Sequence, residues 1–432
     1  MKNLLYLCLI FLVLGCGSDD ESSVGGTINA LPEESTLLTL NVGDRFHPMF
    51  VMTGHAYLTD EDGKLLKDTN LLNNNSYELK AFYDYANKPY DLTIAYEYNP
   101  IDILGRFYYF TTFLDLAPTT LDMPGVDFST EDAEVSININ NIGTTDYNLF
   151  TFGSDETSAN VVSLSCSEID AGSCDYRIGL KRVPDNVYFS FKKPTEDNRR
   201  YLLLKDLYGE ETYSFDYENI PEITDIKTIN FPPECDFVSS KVSGFLLNAP
   251  NQFHTLSNEH SSNGETHMIH FYPKNIFDGY KVIQGCRIAD TGYTSRRIEQ
   301  EVKSTFNLPD LDFQINNNRI ESFEADASLN SDYYLACFHF KPSPSIGVSI
   351  KWFVYGKSEE DIKFSMSNIS ELLFERLNHS DLTLDDFELT GFSIYNLNGA
   401  LSFEEITKSI VETGSDDDRG TDLLEYVSRN YY

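Results

Sequence analysis

The chain is poor in basic residues. Against 68 Asp and Glu there are 32 Lys and Arg, a formal net charge of −36. A nucleic-acid-binding surface needs a basic footprint that replaces counterions on phosphate, so no nucleic acid is expected as a partner. The excess of carboxylates favours solubility and self-repulsion; it gathers divalent cations without defining a site for one. Tryptophan is nearly absent. Trp352 stands alone, inside the alternating run Ile350-Lys351-Trp352-Phe353-Val354, where core packing is the natural role. Catalytic signatures are missing too. There is no G-x-S-x-G, no H-E-x-x-H, no phosphate-cradling glycine loop and no C-x-x-C. With 68 acidic residues, a glycosidase-type carboxylate pair has no distinguishing mark in sequence. These residues name no reaction, and the reading leans away from an enzyme.

Long apolar runs are confined to the start. Lys2 precedes residues 4–14, about a dozen apolar positions that read as the n-region and h-region of a secretory signal. That run is short for a membrane span, which needs about 20. Val13-Leu14-Gly15-Cys16 closes it. Small Gly15 lets a peptidase approach the backbone, and the Cys16 thiol offers a site for a diacylglyceryl group. This tetrapeptide resembles the lipobox of bacterial lipoproteins. The resemblance implies that residues 1–15 are removed and that Cys16 becomes the lipidated first residue. Gly17-Ser18-Asp19-Asp20-Glu21-Ser22-Ser23 follows, a solvated acidic tether with no core-forming side chains. It resembles the export stretch of Bacteroidota-type surface lipoproteins, which implies an outer membrane lipoprotein exposed at the cell surface. The membrane is then a partner through the N-terminal lipid anchor, held durably because bacterial lipoproteins carry several acyl chains.

What remains is β-rich. Short alternating segments recur at Tyr77-Glu78-Leu79-Lys80-Ala81-Phe82, Asp91-Leu92-Thr93-Ile94-Ala95-Tyr96, Val135-Ser136-Ile137-Asn138-Ile139 and Val348–Tyr355, bounded by Gly, Asn, Asp or Pro. Asp60-Glu61-Asp62-Gly63 reads as a hairpin turn. Collinear matches suggest duplication. Met52-Thr53-Gly54 matches Val242-Ser243-Gly244, and Pro89-Tyr90 matches Gly279-Tyr280, both at an offset of 190. Further on, Phe189-Ser190-Phe191-Lys192 meets Phe338-His339-Phe340-Lys341 at an offset of 149. Helix is sparse. Asn368 with Glu371, and Ser402 with Glu405, have capping-box spacing ahead of apolar faces. The expected fold is mostly β: tandem antiparallel β-sandwich modules, Ig-like or transthyretin-like, with a few short helices. The organisation expected is signal peptide 1–15, acylated cysteine and tether 16–40, and modules at 41–125, 126–234, 235–310 (a repeat of the first) and 311–432. Within the first, residues 54–64 and 76–79 loosely resemble transthyretin-like and carboxypeptidase-regulatory modules of surface lipoproteins.

Disulfides are permitted outside the cytoplasm. Cys166 and Cys174 bracket a turn, so a hairpin staple is the first choice. One further pair is expected among Cys235, Cys286 and Cys337. His254, His260, His267 and His270 cluster in one segment and are the weak metal candidates, although His267 and His270 would face opposite sides of a strand. Asp60, Asp62, Asp416, Asp417 and Asp418 offer oxygen ligands for calcium, without EF-hand spacing. No cofactor is required by any of this. Non-enzymatic binding or adhesion at the cell surface, to a protein or glycan, fits tandem modules behind a lipid anchor. The alternatives are a fimbrillin-like structural subunit, which needs a long C-terminal strand, and a hydrolase with a loop-built cleft.

Overall fold

The computed structural model describes residues 34–46, 51–84, 88–98, 106–125, 133–142, 151–153, 160–167, 172–180, 183–191, 198–262, 264–340, 348–377, 382–398, 400–413 and 423–431. Residues 1–15, Cys16, the acidic stretch and Asp416 to Asp418 lie outside them.

Four groups of strands follow one another. The first comprises β1 (Glu34–Val42), β2 (Val51–Thr59), β3 (Leu65–Leu71), β4 (Asn75–Phe82), β5 (Tyr90–Tyr98), β6 (Arg106–Leu116) and β7 (Thr119–Met123). The second has β8 (Glu134–Asn140), β9 (Thr151–Gly153), β10 (Asn160–Ser167), β11 (Ser173–Gly179), β12 (Asp185–Phe191), β13 (Arg199–Leu207), β14 (Thr212–Asp216) and β15 (Glu222–Ile223). The third has β16 (Ile226–Asn230), β17 (Phe237–Leu246), β18 (Ala249–Ser261), β19 (His267–Phe271), β20 (Gly279–Ile288) and β21 (Thr291–Glu299). The last holds β22 (Phe313–Asn317), β23 (Phe323–Ala327), β24 (Tyr333–Phe340), β25 (Val348–Lys357), β26 (Asp361–Phe364), α1 (Ser367–Arg376), β27 (Phe387–Asn396), α2 (Phe403–Thr413) and β28 (Leu423–Asn430). The chain is thus mostly strand, in β-sandwiches with a few short helices.

The sheets explain how the groups meet. In the first group β3-β2-β5-β6 form one sheet and β4-β1-β7 the facing one; the third group repeats the plan with β18-β17-β20-β21 and the pair β16-β19. The last group supplies β25-β24-β27-β28. These three four-stranded sheets join edge to edge into one of twelve strands. The seams are β21 with β28, antiparallel from Thr291↔Arg429 to Arg297↔Leu423, and β25 with β6, parallel from Val348↔Arg106 to Tyr355↔Phe113. The second group is a separate sandwich, β10-β11-β8-β14 over β15-β13-β12-β9. It touches the third through buried side chains: Gln252 Nε2 donates to Asp185 Oδ1 at 2.8 Å and Asn186 Nδ2 to Gln252 Oε1 at 2.7 Å.

Much of the long sheet is covered on both faces. Successive side chains of a strand point to opposite sides. Tyr57 therefore joins one core, with Trp352, Phe323, Ile369 and Leu373, while its neighbours Ala56 and Leu58 join the other, with Leu38, Leu40, Phe403 and Ile406. The first core is roofed by β22-β23-β26 and α1, the second by β4-β1-β7 and α2. Doubly buried strands read as near-continuous apolar runs, and the second half of β25, Trp352-Phe353-Val354-Tyr355, reads that way. Trp352 is fully buried, and its Nε1 donates to Thr112 Oγ1 across the parallel seam at 3.0 Å.

Several expectations need correction. The tether does not extend to residue 40: β1 begins at Glu34, and Leu37, Leu38 and Leu40 are buried against β4 and β7. The boundary at residue 234 also moves, because β16 pairs with β19 of the third group. The early duplicated pairs fall on corresponding strands, Gly54 on β2 with Gly244 on β17, and Tyr90 on β5 with Tyr280 on β20. Both glycines lie under a phenylalanine ring, with a built Cβ only 2.4 Å from Phe46 or Phe277. The later pair does not correspond, since Phe189 is on β12, inside the separate sandwich, and Phe338 is on β24 of the long sheet. Asn368 does not cap α1. The helix starts at Ser367 without a side-chain cap, and the Asn368 amide instead donates to the Asp62 carbonyl. Ser402 and Glu405 do bond reciprocally ahead of α2, at 2.8 and 3.3 Å.

Candidate functional site

A cleft of about 300 Å³ opens where α1 leaves part of the first group's sheet uncovered. The period of two builds it. His55 and Tyr57 on β2, Asp68 and Asn70 on β3, Ala95 and Glu97 on β5, and Arg106, Tyr108 and Phe110 on β6 alternate onto one face. Register lines them up across the sheet: Asn70↔His55↔Ala95↔Phe110 in one row and Glu97↔Tyr108 in the next. From above, α1 contributes Leu373 and Arg376.

The polar groups interlock. His55 lies 2.8 Å (Nδ1) from Asn70 Oδ1 and 2.9 Å (Nε2) from Asp68 Oδ2. Arg376 donates to the same two acceptors, NH1 to Asp68 Oδ2 at 3.2 Å and NH2 to Asn70 Oδ1 at 2.8 Å. Its guanidinium also sits 5.9 Å from the centre of the Tyr57 ring. At the other wall Arg106 pairs with Glu97 at 3.5 Å. Burial lowers the His55 pKa below its ordinary 6.5, with Arg376 adding to that and the bonds to Asp68 and Asn70 opposing it. Burial pushes the Tyr57 phenol up to about 12. Both imidazole nitrogens face oxygen acceptors, of which a neutral ring can donate to only one, while Tyr57 stays a protonated phenol. The hydroxyls lining the cleft are those of Thr53 and of tyrosines. Such a constellation presents fixed donors and acceptors rather than an activated nucleophile.

The residues singled out by sequence lie elsewhere. His254 and His270 are fully buried; His260 and His267 are exposed, and His267 and His270 sit on opposite faces of β19. Among the described residues, no three His, Cys, Asp or Glu side chains converge as a metal site would require. Asp60 is occupied by its turn, where Oδ1 accepts from the Asp62 and Lys64 amides at 3.1 and 2.8 Å. Cys174 is disulfide-bonded and stands opposite Cys166 in the β10–β11 register, but the Cys166 side chain lies outside the described residues. The further disulfide is Cys235–Cys286, with Cα atoms 5.6 Å apart. None of His55, Asp68, Asn70, Glu97, Arg106 and Arg376 is among the residues singled out by sequence. The signal was present in the two-residue spacing of His55-Ala56-Tyr57, Asp68-Thr69-Asn70 and Arg106-Phe107-Tyr108, each putting a polar group and a second functional side chain on one face. Arg376, more than 300 positions from Asp68, had no such signal.

No protein-family model matches the chain, and no curated protein matches it. Among solved structures, one similar in part concerns host cell surface retention of a 1.5-MDa bacterial ice-binding adhesin, at 7% sequence identity and a TM-score of 0.14, covering 88% of this chain and 86% of that one. At that score the likeness carries no weight for fold or function.

Proposed function

We propose that this protein is a cell-surface lipoprotein, anchored to the outer membrane through Cys16, whose body binds or adheres rather than catalyses. The observation that carries the reading is the edge-to-edge joining of three four-stranded sheets into one of twelve strands. Continuous backbone pairing fixes the strand groups relative to one another, as a display scaffold requires, and leaves loops and clefts as the variable surface. The lipobox-like Val13-Leu14-Gly15-Cys16 and the acidic stretch behind it support the anchor. The interlocked cleft supports binding over hydrolysis, because His55 and Arg376 are both tied to Asp68 and Asn70. The structural-subunit alternative calls for a strand free to be exchanged. The C-terminal strand β28 is already hydrogen-bonded to β21 on one edge and β27 on the other.

Fractionation of cells producing the wild type and Cys16→Ser tests the anchor. The wild type should enter the detergent phase and incorporate labelled palmitate; Cys16→Ser should do neither. Equal partitioning of the two would remove the lipoprotein reading. Attachment of cells with and without the protein to protein- and glycan-coated surfaces tests the binding role, and equal attachment would remove it.

A further inference from the structure

The cleft is built for a particular kind of ligand. Its floor is Ala95, which stands in register between His55 and Phe110. A small residue between two large ones leaves a hollow, here walled by the partly apolar surfaces of Tyr57, Tyr108 and Leu373. Around the rim the charges are already matched. Arg376 bonds Asp68 and Arg106 pairs with Glu97, so the rim is neutral within a chain of net charge −36. An anionic ligand would add an uncompensated charge, and a zwitterion would have to break both pairs. A hydroxyl fits without either cost, because each one donates and accepts. Guanidinium groups have five donors apiece, and carboxylates have several lone pairs, so both keep capacity beyond their mutual bonds. The cleft volume of about 300 Å³ lies at the small end of ligand pockets. A ring bearing several hydroxyls, with an apolar face to lay against aromatic and aliphatic side chains, satisfies all of these features.

We propose that the hollow over Ala95 binds one neutral pyranose unit of a glycan, its hydroxyls meeting Arg376 and Asn70 on one side and the Arg106–Glu97 pair on the other. This deepens the binding role proposed above and rests on it.

The test is saturation-transfer NMR on the full chain in detergent. The probes are the methyl glycosides of glucose, galactose and mannose, with glucuronate and free glycine as charged comparisons. At least one neutral glycoside should receive transfer. Ala95→Phe, which fills the hollow, should weaken its binding at least about tenfold, whereas Ala95→Ser, which keeps the space, should leave it near wild type. Thermal melting checks that Ala95→Phe is folded. If it is not, Arg106→Met on the exposed rim takes its place, with weakening again expected. The proposal is overturned if no neutral glycoside binds, if the filled or rim variant binds as well as wild type, or if glucuronate or glycine is preferred. Cell attachment separates this from the parent reading. Attachment that survives Ala95→Phe while glycosides fail to bind rejects the ligand class alone, and wild-type cells attaching no better than cells without the protein reject the binding role itself.

Discussion

His270 allows a pH prediction that depends on one side chain. It lies on β19 between Met268 and Tyr272, on the core-facing side, with no exposed surface. Neither ring nitrogen has a hydrogen-bond partner among the described residues. Burial first, and the Arg199 charge second, push its pKa from 6.5 down to about 4. Between those values the folded protein holds fewer protons than the unfolded chain. Stability is therefore complete above pH 6.5 and is lost as pH falls towards about 4. A span of about 2.5 pH units, at about 1.4 kcal/mol each, gives about 3 kcal/mol. His270→Leu removes the titration at similar volume, and any packing change it brings is the same at both pH values. Peptide-resolved hydrogen–deuterium exchange over β16 to β19 reads the opening free energy of this region alone. A global melt of a chain with several sandwiches would not. From neutral pH to about pH 4, the wild type should lose about 3 kcal/mol more than His270→Leu. Equal losses would show that the imidazole is hydrated or paired in solution, and the reasoning would fail.

Asp91 runs the other way. Burial raises its pKa from 3.8 to about 7, so its contribution is present at low pH and is lost as pH rises through that window. Asp91→Asn keeps an oxygen for the Asp115 amide, bonded at 3.0 Å, and should gain about 1–2 kcal/mol in urea unfolding at neutral pH after allowance for partial exposure; no gain means the carboxylate is well solvated. Replacing Cys235 and Cys286 together by Ala opens a link spanning 51 residues and should cost about 4 kcal/mol by loop-closure entropy, seen as an earlier transition of the third group under non-reducing conditions. Trp352→Ala should cost about 3–5 kcal/mol and loosen the β6–β25 seam; unchanged exchange protection there would contradict the packing described. Gly244→Ala places a Cβ 2.4 Å from the Phe277 ring and should cost about 1–3 kcal/mol by displacing it, read by hydrogen–deuterium exchange over β17 to β20.

Local chemistry was legible in the sequence, and long-range placement was not. The Asp60–Gly63 turn reads directly, because Gly63 supplies a φ of +74° and the Asp60 carboxylate gathers the turn amides. The Ser402 and Glu405 box reads directly too, being a matter of three-residue spacing. Asn368 has the same spacing and behaves differently, since the 60–63 turn packs against the start of α1 and takes its side chain. The joining of β25 to β6 in parallel brings together residues some 240 positions apart, and nothing in either strand announces the other. Its trace was the unbroken apolar run Trp352-Phe353-Val354-Tyr355 in the second half of β25, which one-sided alternation does not explain. The cleft was hidden for the same reason: its rows come from four strands, but Arg376 arrives on a helix from the far end of the chain.

The central claim is outward display of a binding body from Cys16, and protease shaving of intact cells tests it most directly. Trypsin added to intact cells producing the full chain should release fragments of the strand groups, identifiable by mass spectrometry, while a periplasmic marker stays intact. Protection of the whole body until the outer membrane is broken would place it inside and contradict the account.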